Sequence, residues 1–406
     1  MRRACGPVRQ PRRFRRVTRS LDLEIVAENL SEAAFLWRLR DGAALAANHD
    51  GATIGALDER IDAHLDGARI AGPQGLEAAE AALDPEEPGS VFALALLALE
   101  QGDDARREAA LAIAEGSRVA ARGAVTALAF APFDVARPAI HALLAQTSSP
   151  ARRRIGLAAC AAHRRDPAEA LGYAILDGDL ALRARGLRAV GELGRADLLG
   201  EVRAELASED PDCRFWAAWS ATLLDDPAGL TALANIADHA GPHAERAMTV
   251  VVRKLDPRDA RRRIEDAGAV AHLARAAMIG AGALGDPSLV PWLLERAEDE
   301  SVARLAADAI AGITGVVIEG PLAGPPRAGG GPSDDPADAD VAMDPDDALR
   351  WPDLQALRAW WAGREGQLKR GTRHLRGVTV SAEIADRELA TGSQRRRASA
   401  AIELAI

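Results

Sequence analysis

Lysine is all but missing from this chain. Of its 50 basic residues only Lys254 and Lys369 are lysine, and the rest are arginine. We read this as high-GC codon usage, a bacterial signature. Aromatic residues make up only 3%, so the 48% hydrophobic content is mostly Ala, Leu, Val and Ile, as thin, closely packed helices require. The three cysteines, Cys5, Cys160 and Cys213, are scattered and form no CxxC pair. That excludes a disulfide framework and fits a reducing cytoplasm. Cys160 and Cys213 fall in apolar helical patterns and are expected as small buried hydrophobes. No run of 18 apolar residues occurs, so neither a transmembrane helix nor a membrane partner is expected.

The signatures of chemistry are missing too. There is no GK[ST] phosphate loop and no HExxH, and no G-x-S-x-G elbow. Gly280, Gly282 and Gly285 give a loose GxGxxG, but no strand precedes them, and close helix packing explains them. His239 and His243 stand four apart, yet Gly241-Pro242 lies between them and puts both in a turn. The acidic stretch from Asp334 to Asp347 lacks the glycine and glutamate of an EF-hand, with Leu349 at the twelfth place. Accordingly no catalytic, cofactor-binding or metal-ligating residue is assigned, and no enzyme activity or cofactor is expected.

The charge balance is acidic: −10 overall, with a pI of about 5.4. Residues 1–20 run the other way, with eight arginines and no acid; the remainder carries 42 cations against 60 anions. No apolar stretch follows these arginines, so they do not read as an export signal. A basic arm and an unstructured tail, or a start assigned too early, remain open for that segment. The acidic body argues against general phosphate-backbone binding, which needs a basic footprint. It predicts a protein partner with a basic patch, and no nucleic acid.

What the sequence does hold is a period. An aspartate returns about every 30 residues, at Asp104, Asp134, Asp166, Asp197, Asp226, Asp256 and Asp286, and four of these are followed by proline. Such a period marks stacked helical repeats. Aspartate is a strong N-cap, and proline fits the first helical position, where no amide donor is needed. Each aspartate should therefore open the second helix of a pair. Asp166-Pro167-Ala168-Glu169 resembles a capping box. Leu182, Gly186, Ala189, Val190 and Leu193 make one apolar stripe, and Leu289, Val290, Leu293, Leu294 and Ala297 another. No unit buries its stripe alone, so neighbours must stack.

Arginines keep a second register about twelve residues earlier, at Arg122, Arg154, Arg185, Arg214, Arg246, Arg275 and Arg304. They either bridge to the cap aspartates or stand solvated. An exposed pair adds at most about 1 kcal/mol, so a ladder would set register more than strength. Trp216 and Trp219, beside Phe215, are expected in packing between repeats. Trp351, Trp360 and Trp361 are expected to cap the far end.

Arg275-Ala276-Ala277-Met278 running to Gly282-Ala283-Leu284-Gly285-Asp286-Pro287, with a second copy at Arg185 to Asp197, resembles the HEAT-like repeat of the phycobilisome-lyase type. The likeness covers roughly residues 90–316. Glu32 to Asp41, Leu57-Asp58-Glu59-Arg60, Gly371 to Gly377 and Gln394 to Ile406 resemble the ends of an uncharacterised bacterial HEAT-repeat family found in type VI secretion gene clusters. The likeness begins near residue 20, which favours the early-start reading. It implies an all-α, HEAT-like α-solenoid of about seven helix pairs. The expected parts are a basic tail at 1–20, a helical N-terminal cap at 21–89 and repeats at 90–318. An acidic Gly/Pro-rich linker at 319–347 and a small C-terminal cap at 348–406 follow. Its expected role is a cytoplasmic scaffold or adaptor, an accessory of type VI secretion, with the second helices lining a concave binding face. The alternative is a HEAT-like enzyme of the chromophore-lyase or DNA-glycosylase type.

Overall fold

The structure, a computed structural model, describes residues 22–44, 46–325, 344 and 346–406. The tail at 1–20 and most of the acidic linker lie outside the described residues. What is described is almost wholly helical. Three helices lead in: α1 (Leu23–Ala43), α2 (Gly51–Ala71) and α3 (Pro73–Ala81). Next come α4 (Pro88–Gln101), α5 (Asp104–Gly116), α6 (Arg118–Phe130), α7 (Phe133–Leu144), α8 (Pro150–Ala162), α9 (Glu169–Ile175), α10 (Leu180–Leu193) and α11 (Leu199–Ala204). The series continues with α12 (Pro211–Leu223), α13 (Pro227–Ala237), α14 (Ala244–Lys254), α15 (Pro257–Gly268), α16 (Ala274–Leu284), α17 (Val290–Arg296) and α18 (Ala303–Thr314). The chain closes with α19 (Leu354–Ala362), an antiparallel pair β1 (His374–Leu375) and β2 (Val378–Thr379), then α20 (Ala382–Thr391) and α21 (Gln394–Ala405).

From α4 onward alternate helices stack. α4 packs on α6, α6 on α8, α8 on α10, α10 on α12, α14 on α16 and α16 on α18, with a narrower contact from α12 to α14. The intervening helices lean on this row more than on one another. Buried side chains form three clusters that follow one another along the chain, through Phe92 and Ile140, then Leu187 and Val202, then Met248 and Ile310. Glycines set how close the row comes. A Cβ on Gly123 of α6 would lie 2.1 Å from the Pro88 carbonyl oxygen of α4, so only hydrogen fits there.

The aspartates do open the intervening helices, but not always as caps. The carboxylates of Asp226 and Asp256 accept from the amides of Ala228 and Arg258 and start α13 and α15. Asp286 caps a 3-10 turn at Pro287–Leu289 that feeds α17. Asp104 is the first residue of α5, and its neighbour Asp103 is the cap. Asp134 sits inside the first turn of α7, which has no side-chain cap. The capping box at Asp166 does not form. Its carboxylate closes a tight turn onto the Ala168 amide, Ala168 takes φ +54°, and α9 begins only at Glu169. α2 starts at Gly51, where the Asp50 carboxylate caps it by accepting from the Thr53 amide.

Asp226 tests the capping argument. It is 5% exposed, caps α13, and accepts from Arg203 Nε at 2.6 Å. Asp226→Ala is expected to cost about 1–2 kcal/mol by urea unfolding, and Asp226→Asn less, because the amide oxygen still caps. The bond from Arg203 holds this carboxyl below the usual aspartate range. Its contribution is therefore full above about pH 4 and is lost as pH falls through the folded-state value.

The C-terminal segment reaches back across the fold. The amide of His374 donates to Gly285 O at 2.8 Å, and the amides of Arg376 and Gly377 donate to Gly312 O and Ile313 O. Gly285 has φ +76° and a Cβ there would meet His374 O at 2.3 Å, so this junction requires glycine. On α21, Glu403 accepts from Arg253 Nε of α14 at 2.8 Å and from Arg373 Nη2 at 2.5 Å. The same hairpin of α20 and α21 meets the entry to α2: Gln394 N donates to His49 O at 2.6 Å, and Asp50 pairs with Ser393 in an isolated bridge.

Candidate functional site

The groups singled out in the sequence fall mostly into packing. Cys160 and Cys213 are free and buried. Burial pushes the Cys160 thiol up to about 11 and, with help from Asp210, the Cys213 thiol to about 12. Neither is then a thiolate near neutral pH. His243 stacks on Phe215 with centroids 4.1 Å apart and bonds Asp212 at 2.7 Å, whereas His239 bonds the Asn235 carbonyl. Gly280 and Gly282 face Met248 and Ala309, where a side chain would crowd the neighbouring helices. Trp361 is buried, and Arg304 and Arg364 lie over Trp351 and Trp360.

The arginine register behaves differently from either expectation. None of the seven meets a cap aspartate. The aspartates find other partners: Arg195 bonds Asp166 at 2.9 Å and Asp197 at 2.7 Å, and Arg203 bonds Asp226. The register instead falls on the stacked row α6, α8, α10, α12, α14, α16 and α18, away from the turns that hold the aspartates.

There three of the seven, Arg122, Arg154 and Arg185, line a groove of about 470 Å³. α6 supplies Arg118 and Arg122, α8 supplies Arg154, α10 supplies Arg185 and Arg188, and α12 supplies Trp216. Ala121, Ala158, Ala181 and Ala184 form the floor, and their small size is what leaves the space. Trp216, expected only in packing, is half-buried on the groove wall. Arg188 lies over its ring at 4.7 Å and Arg246 at 6.0 Å. Arg122 pairs with Asp41 at 2.7 Å, and Arg185 with Glu192 at 3.1 Å. Arg118 and Arg154 have no ion pair among the described residues. Burial, and then the nearby Arg118, hold the Arg154 guanidinium below its ordinary value, and Asp179 offsets this only from a distance.

Further along, the same row carries carboxylates. Arg246 neighbours Glu245, which accepts from Arg275 Nε at 3.0 Å. Arg275 also binds Asp346, and Arg304 binds Asp344. Arg304 Nη1 donates to the Asp346 carbonyl at 2.9 Å as well. The sequence reads this acidic stretch as part of a linker, yet Asp346 is 3% exposed. Burial opposes the charge on Asp344, but the bond from Arg304, the Asp346 amide and the fields of Arg304 and Arg275 together outweigh it and keep the carboxyl below the usual range. A second cavity, about 520 Å³ between α13 and α15, carries two ion pairs in its lining: Arg263 with Asp238 at 2.5 Å and Arg262 with Asp259 at 3.1 Å.

No protein-family model matches this chain, and no curated protein matches it. No helix among the described residues is long and apolar enough to cross a membrane.

Proposed function

We propose that this chain is a HEAT-like solenoid of about seven helix pairs, with a helical cap at its start and a small cap at its end, acting as a protein-interaction scaffold. The observation that carries the reading is the groove on the stacked row. Its walls come from four successive alternate helices, and two of its guanidiniums have no partner among the described residues. Arg154 is partly buried and Arg118 is exposed beside it; keeping the Arg154 guanidinium cationic without an internal partner costs stability, which a bound partner would return. The site thus lies on the first helices of the pairs rather than on the second.

A nucleic-acid reading, of the glycosylase type, draws on the same arginines. Asp41 and Asp212 on the groove walls oppose it, since they interrupt the positive line that a backbone charged at every nucleotide needs. The excess of anions over the rest of the chain suits a partner with a basic patch outside the groove. Accessory work in type VI secretion, in the cytoplasm, is the setting that the resemblance of the chain ends favours. Affinity purification from the native host, with an Arg118→Ala/Arg154→Ala double variant in parallel, tests this. Secretion-apparatus components recovered by the parent and lost from the variant are the expected result. Recovery of nucleic acid alone would contradict it.

A further inference from the structure

The groove and the occupied end of the row are parts of one continuous surface. Arg118 acts on Arg154 across α6 and α8. Arg188 and Arg246 share the Trp216 ring across α10, α12 and α14. Glu245 joins α14 to Arg275 of α16, and the 344–346 segment joins Arg275 to Arg304 of α18. The two ends differ in one respect. At α16 and α18 the arginines hold carboxylates contributed by a chain segment that is not part of the row. At α6 and α8, Arg118 and Arg154 hold none among the described residues.

We propose that the groove across α6, α8, α10 and α12 binds an extended acidic segment of a protein partner, its carboxylates received by Arg118 of α6 and Arg154 of α8, in the manner in which Arg275 and Arg304 hold Asp346 and Asp344. This rests on the scaffold reading and names the chemistry of its ligand. The spacing suits it. Packed helix axes lie about 8–10 Å apart, so four helices span roughly 24–30 Å. An extended chain rises about 3.3 Å per residue, so roughly seven to nine residues fill that length. Side chains alternate in direction, and every second or third residue meets the next helix. Guanidinium suits this work: its planar fork takes a carboxylate through two N–H donors. Trp216 offers a face for an apolar or aromatic residue of the segment. Asp41 and Asp212 interrupt the positive line, which suits an occupant whose carboxylates are spaced apart better than a polyphosphate charged at every unit.

The test is fluorescence anisotropy with a labelled nine-residue peptide of alternating Glu and Gly. A Lys/Gly peptide and a single-stranded oligonucleotide of matched charge run beside it, each at low and moderate salt. The acidic peptide is expected to bind, and to bind less tightly as salt rises. Arg118→Ala/Arg154→Ala is expected to weaken it roughly ten- to a hundredfold, the worth of one or more charged hydrogen bonds. Thr126→Glu, which puts a carboxylate on the groove wall without removing an arginine, is expected to weaken it similarly. Arg262→Ala, in the separate cavity between α13 and α15, is expected to leave it unchanged. Tighter binding of the oligonucleotide than of the peptide overturns the inference in favour of nucleic acid. So does an acidic peptide that binds the variants and the parent alike while all keep the same unfolding midpoint. If a host partner is still lost from the double variant while the peptide is ignored, the ligand chemistry fails and the scaffold reading stands.

Discussion

Glu403→Ala is expected to destabilise the fold by about 3–5 kcal/mol, the usual cost of removing one member of a buried ion pair. Arg253 is 3% exposed at its side chain, and Glu403 is its carboxylate partner. Arg373 converges on the same carboxylate. Without it, the Arg253 and Arg373 guanidiniums lose their shared carboxylate, and the α20–α21 hairpin is left with the Arg253–Ser399 and Lys254–Ile406 bonds to α14. Urea unfolding measures the loss, and a change under about 1 kcal/mol would show that the hairpin is held by something else. Glu403→Gln keeps the shape and one acceptor, so its loss should be smaller. pH gives an independent readout. Burial opposes the Glu403 charge, but the bonds from Arg373 and the field of Arg253 outweigh it and hold the carboxyl below its ordinary value. A lowered folded-state value means that the stabilisation is complete above the unfolded pKa, about 4.3, and disappears as pH falls through the folded-state value. The parent should therefore lose stability on acidification below about pH 4.3 more steeply than Glu403→Gln does.

Gly123→Leu carries the second large effect. A Cβ at this position would lie 2.1 Å from Pro88 O and 3.1 Å from Phe92 N, both backbone atoms of α4. No side chain is there to swing aside, so the two helices must separate. Overpacking of this kind costs about 3 kcal/mol or more, and the separation would spread to every contact that α6 makes along the row. Gly172 of α9 is the control, because nothing lies within 4 Å of the Cβ position. Gly172→Ala is expected to stabilise by about 0.5–1 kcal/mol through helix propensity alone. Equal effects at the two glycines, read by chemical denaturation, would mean that close approach of α4 and α6 does not govern stability.

The helical class was legible because its signals are local. An Asp-Pro dipeptide fixes a cap and a first turn within three residues, and Asp226 and Asp256 do what that chemistry requires. Asp166 departs from it because Ala168 adopts a left-handed backbone that delays α9, and that turn is not written in residue types. The arginine register was visible, but its partners were not. A twelve-residue offset gives a distance along the chain, whereas the helix face decides what a side chain meets. The arginines face along the row, and Arg195 and Arg203, outside the register, take the aspartates. Trp216 could have been placed on a wall by noticing that arginine-bearing helices flank it. The contacts of Glu403 with Arg253, 150 residues away, and of Gln394 with His49 leave no trace in any window of sequence.

Hydrogen–deuterium exchange with and without the acidic nonapeptide tests the central claim most directly, because it reports chemistry and place together. The account predicts slowed exchange in the N-terminal halves of α6, α8, α10 and α12, with α13 and α15 unchanged. Protection confined to the intervening helices, or no protection at a peptide concentration that saturates anisotropy, would contradict it.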